Sequence, residues 1–135
     1  MANEAVLRHW QEDPMDFVVS NAAGIEKGTV LKLIDPRRAE ATAAPDTGIA
    51  CAGIARREKI ASDGRTRLAV FRKGIFDMTS VSGSAITVGD QVCISGVNFI
   101  RTALTDGTED AVVIGRALET AASTAEEQIQ VAVNM

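Results

Sequence analysis

A chain of 135 residues, 46% hydrophobic and 24% charged, has the size and balance of one globular unit able to bury a real core. Its net charge of −4 argues against nucleic acid as the main partner, because phosphate binding needs a basic excess. No apolar run reaches the ~18 residues of a membrane span, and MANEAVLRHWQEDPMD carries charges where a signal peptide needs its apolar stretch.

In chain order, residues 1–16 lack a clean period of two and read as an N-terminal arm, leaving 17–135 as a single β-rich domain. MDFVVS at 15–20 has the look of a first strand. TVLKLI at 29–34 is a second, entered through a Gly28 turn and closed by Asp35-Pro36. Residues 37–48 are small and polar, as in a loop. GIACAGIARREKIAS then leads through Asp63-Gly64, a hairpin signal, into RTRLAVFRKGIF. Residues 79–85 read as a flexible link. ITVGDQVCI, NFIRTAL, a turn at Asp106-Gly107, and AVVIGRAL follow. In the last segment, EEQIQVAVNM, Ile129, Val131, Val133 and Met135 alternate against Gln128, Gln130, Ala132 and Asn134. Only the Ala- and Glu-rich stretch 117–128 competes for helix, with one or two turns at most. The expectation is an all-β fold, a small barrel or sandwich.

The phrase GIA at 53–55 returns as GRA at 115–117, an offset of 115 − 53 = 62. IEKGTVLKLI at 25–34 aligns with ITVGDQVCIS at 86–95, and LAV at 68–70 with IQV at 129–131, both at an offset of 61 (86 − 25). Three blocks in one order at near-constant spacing indicate a duplicated β-rich half. Neither half could bury its sheet alone, so two related halves should share a core.

The halves differ in charge. Residues 53–74 hold seven basic and two acidic side chains, whereas 104–128 hold one basic and six acidic. Solvated hairpins would account for this. So would a subunit with a basic side (Arg56, Arg57, Arg65, Arg67) and an acidic side (Glu109, Asp110, Glu126), which would associate head to tail into a ring.

No chemistry is written in the chain. His9 is the single histidine and lies in the expected arm. No nucleophile elbow and no phosphate-cradling loop occurs. Asp106, Glu109 and Asp110 do not follow the calcium-loop ladder. Cys51 and Cys93 lack metal-ligand spacing and sit among apolar neighbours, so both are expected as buried, reduced thiols of a protein made in a cytoplasm. Neither an enzyme, a metal nor a cofactor is expected.

The phrases IEKGTVLKL, GIARREKIASDGRTRLAVFRKGIFDM, AITVGDQVCI and VVIGRALETAAS, with the final IQVAVNM strand, resemble the head decoration (cement) proteins of tailed viruses. The resemblance covers roughly residues 17–135 and rests on turn glycines and strand order. It implies a β-barrel or β-tulip-like domain on the outer surface of an expanded capsid. There it would stabilise the shell against DNA pressure, usually as a trimer and sometimes as a dimer. The implied partners are the major capsid protein and further copies of the chain, with no nucleic acid or membrane. An N-terminal arm commonly touches the coat protein in such families. Leu7, Trp10 and Phe17 are the candidate anchors here, and Phe17 could equally be core of the first strand. The rival readings are a tail-tube or head-completion ring protein and a ligand-binding β module. The latter is poorly served by five Phe and Trp residues and no Tyr.

Overall fold

Alternating burial in strands such as Gln128–Asn134, where Ile129, Val131 and Val133 face inward, sets the architecture. The computed structural model describes residues 2–10 and 15–135, and of His9 and Trp10 the backbone alone. The strands are β1 Val6–Trp10, β2 Met15–Val18, β3 Val30–Ile34, β4 Arg38–Ala41, β5 Cys51–Ala55, β6 Arg67–Phe71, β7 Lys73–Ser80, β8 Gln91–Ile94, β9 Phe99–Thr102, β10 Gly115–Ala117 and β11 Gln128–Asn134. A 3-10 turn spans Asp110–Val112.

Strands β2 to β6 close into a barrel in the order β2-β4-β3-β5-β6. Strands β7 to β11 close in the matching order β7-β9-β8-β10-β11, with β1 added to β7. The match extends to register. The parallel pair Val18–Arg38 becomes Thr79–Phe99. Leu31–Ala41 becomes Val92–Thr102, and Ala55–Val70 becomes Ala117–Val131. Even the isolated bridge Ile25–Lys59 has its twin in Ile86–Ala121. The duplication read from the sequence is thus a duplication of a whole barrel.

The repeated glycine has a steric cause. A Cβ on Gly53 would lie 2.5 Å from the Phe71 carbonyl oxygen, and a Cβ on Gly115 would collide with the equivalent Ala132 carbonyl. Only a residue without a side chain lets β5 and β10 approach their neighbours this closely.

Phe17, Val19, Ile25, Leu31, Leu68 and Val70 fill the first barrel. A second cluster fills the other barrel and runs across the joint, where Val30, Cys51, Ile54 and Phe71 of the first barrel join Phe76, Ile94 and Val133 of the second. The Phe71 and Phe76 rings meet at 5.9 Å between centroids.

Four expectations change, the first being that Arg38–Ala41, inside the stretch read as a loop, forms strand β4 by pairing with β3. Residues 117–128 hold no helix: Ala121 and Ile86 exchange backbone hydrogen bonds of 2.8 and 2.9 Å, and this pairing overrides local propensity. The stretch 79–85 is not a link between halves, since Thr79 and Ser80 finish β7 inside the second barrel. The joint is instead Arg72, which alone separates β6 from β7 in what reads as one strand. Within the segment expected to be an arm, Val6–Trp10 pairs antiparallel with β7, with an irregularity between Leu7 and His9.

Gly115→Ala should cost about 2–4 kcal/mol, because the added methyl meets backbone. Gly64→Ala, in open space at φ +85°, should cost about 1–2 kcal/mol from strain alone. Urea unfolding of both variants checks this; equal losses would remove the close-approach argument.

Candidate docking surfaces

The N-terminal segment ties both barrels together. Ala5 N–H donates to the Gly28 carbonyl at 2.7 Å on the first barrel. On the second, Asn98 Nδ2 donates to the Ala2 carbonyl at 3.0 Å, and Arg8 pairs with Asp77 at 2.7 Å. Between Glu4–Leu7 and the β5–β6 loop runs a groove of about 720 Å³, lined by Lys27, Arg56, Arg57 and Phe71 among others. Leu7 is half-buried against the core, and Trp10 lies outside the described side chains. Phe17 is not presented to a partner at all. It is 3% exposed, with Arg37 and Arg72 placed over its ring at 5.9 and 5.6 Å.

The β5–β6 loop is held from within. Lys59 is fully buried, and its ammonium donates to the carbonyls of Asn21 and Ala23 at 2.9 Å and of Ile60 at 3.3 Å. Asp63 lies 3.3 Å away and neutralises the charge. A buried ammonium is tolerable only when paired and bonded in this way. The loop so fixed carries Arg56, Arg57 and Arg65 at the surface, and exposed Arg67 opens β6 beside it. Its twin in the second barrel, the β10–β11 loop, carries Glu119 and Glu126 exposed. The same structural element therefore bears opposite charge in the two barrels.

Glu109, expected on the acidic face, is committed inside the chain. Its carboxylate accepts from both Arg101 terminal nitrogens, at 2.5 and 3.0 Å, and from the Leu104 N–H at 2.7 Å. Arg101 also donates to Thr47 Oγ1 at 3.1 Å, so the pair braces the joint between barrels. The Arg101 guanidinium, with the Leu104 N–H, holds the Glu109 carboxyl down at about 2. Asp110 and Asp106 remain exposed. Among the described residues, no three His, Cys, Asp or Glu side chains are placed to hold a metal ion. Both cysteines are free and buried, and burial pushes the Cys51 thiol up to about 12.

Closed barrels bearing charged loops offer surfaces for contact. The family model described as phage cement protein matches residues 10–135, which takes in both barrels. The chain belongs to the phage cement protein family. No curated protein matches the chain. As a phage cement protein it is a structural component of the virion capsid, and its work is attachment to that capsid. The match supports the resemblance carried by the turn glycines and strand order.

The Glu109 pair predicts a pH dependence. A carboxyl whose folded value lies below its ordinary 4.5 adds stability at higher pH and loses it as pH falls toward about 2. The melting-temperature gap between wild type and Glu109→Gln should therefore be full at neutral pH and shrink across that acid window. A gap that stays constant with pH would discard the pair as its cause. Cys51 should resist thiol reagents in the native protein at pH 8 and react once the chain is unfolded, as a thiol titration would show.

Proposed function

We propose that this phage cement protein binds the outer surface of the expanded capsid, docks on the major capsid protein and stabilises the shell without catalysing a reaction. One observation carries the reading. Among the described strands β1 is the one that lies outside the closed rings, with β7 as its single strand neighbour and its other edge left without one. An extended coat-protein segment can add to that edge, gaining main-chain hydrogen bonds along β1 and side-chain contacts in the adjoining groove. Leu7 and Trp10 belong to this strand and are the anchors of the proposed contact.

Copies of the chain associate head to tail in this reading, through sides of opposite charge, and a trimer is the proposed ring. Arg56, Arg57, Arg65 and Arg67 supply one sign, and Asp110 and Glu126 the other. Many copies, each weakly held, together clamp the shell.

The test is to add the purified protein to expanded particles that lack it, count bound copies by imaging, and follow DNA release on heating. Bound copies on the shell and a higher release temperature are expected, with Trp10→Ala binding more weakly at an unchanged melting temperature. Copies confined to a vertex or tail, or an unchanged release temperature, would reject the proposal.

A further inference from the structure

We propose that the second barrel of one copy docks on the first barrel of the next by repeating the contact that the two barrels make inside a single chain. The inference rests on the head-to-tail reading above and names its surfaces.

Within the chain, the first barrel offers Val30, Phe71 and the segment 42–48, and the second receives them on Phe76 and the turn 94–98. Val30 N–H donates to Asn98 Oδ1 at 2.9 Å, and Asn98 N–H donates to Thr42 Oγ1 at 3.1 Å. Gly96 N–H donates to the Asp46 carbonyl at 2.6 Å, and Gly48 N–H to the Ile94 carbonyl at 3.0 Å. The duplication carries each position to a second place, where Arg37 and Ala103 stand for Asn98 and Thr42, so that the backbone bonds and the apolar contact, not these two side-chain bonds, are what recurs between copies. On the second barrel, Val30 and Phe71 become Gln91 and Ala132, and 42–48 becomes 103–109. On the first, Phe76 becomes Met15, and the turn becomes 33–37, in which Arg37 repeats the left-handed backbone of Asn98 (φ 49° and 60°).

Each of these twin faces carries exposed large apolar side chains among its polar ones. Of the seven exposed large hydrophobic residues among the described ones, Met15 and Leu33 lie on the receiving face. Leu104 lies on the offering face. Val6, Ile60, Val88 and Leu118 lie elsewhere. The receiving face contains a groove of about 490 Å³ between Met15, Leu33 and Arg72, large enough for a leucine side chain. Charge matches shape: Arg37, Arg38 and Arg72 outnumber Asp16 and Asp35 on this face, while exposed Asp106 and Asp110 follow Leu104 on the other. The open twin of the Gly28 turn agrees. Gly28 is covered by Glu4 and Ala5, whereas nothing lies within 4 Å of a Cβ built on Gly89. The occupant of the Met15–Leu33 groove is Leu104 of a second copy.

The experiment combines Leu33→Cys with Leu104→Cys in the full-length chain and oxidises it, free and bound to particles. The native cysteines are buried, so the new pair reports the contact. Expected is a ladder of covalent products between copies. Leu104→Asp should also raise the dissociation constant at least about tenfold, as for an anchor at an interface centre, without moving the melting temperature. Association that survives Leu104→Asp but is lost in Arg56→Glu/Arg57→Glu would overturn this face and keep the head-to-tail reading. So would wild-type association with no cross-link. A wild-type chain that associates neither in solution nor on particles would remove both.

Discussion

Closing a sheet of only five strands leaves little room between neighbouring backbones, and this constraint governs the rest of the molecule. Gly53 and Gly115 meet it by having no side chain where the next strand's carbonyl must pass. Once the rings are closed, each of their described strands has a neighbouring strand on both sides. The chain must then interact through loops, outer faces and the single added strand β1. Such a plan keeps a capsid component from polymerising through exposed sheet edges.

Duplication explains which positions stayed alike and which diverged. Inside, the two barrels impose the same shape, so Val70 matches Val131, Ala55 matches Ala117 and Leu31 matches Val92. Outside, the surroundings differ. Ile54 is buried in the joint while its twin Arg116 is exposed, bonding the Gly89 carbonyl at 3.0 Å. Lys59 is a buried cation with a full set of acceptors, and its twin Ala121 needs none. The opposite charges of the equivalent loops belong to the same divergence.

Period-two alternation and turn glycines were enough to read β11, the repeat and the barrel class from the residues alone. They failed where the signal was not local. RLAVFRKGIF has one continuous β pattern, and nothing in it marks Arg72 as the passage from one barrel to the other. Helix propensity in 117–128 lost to a pairing with Ile86, far away in the chain. The irregularity between Leu7 and His9 broke the alternation that would have revealed β1. Glu109 counted as a surface acid until Arg101, eight residues earlier, was seen to hold it. Phe17 reads from the sequence as either an arm anchor or core of the first strand, and its ring fills the first barrel.

The Arg72 joint has a consequence of its own. One residue spans at most about 3.6 Å, so the barrels have no slack in which to drift apart, and hydrogen bonds such as that from Met135 N–H to the Arg72 carbonyl pin the joint further. Each copy enters any array as an indivisible double brick. The number of barrels in an assembly built of this chain is always even, and a lattice position with an odd number of lobes cannot be filled by it alone.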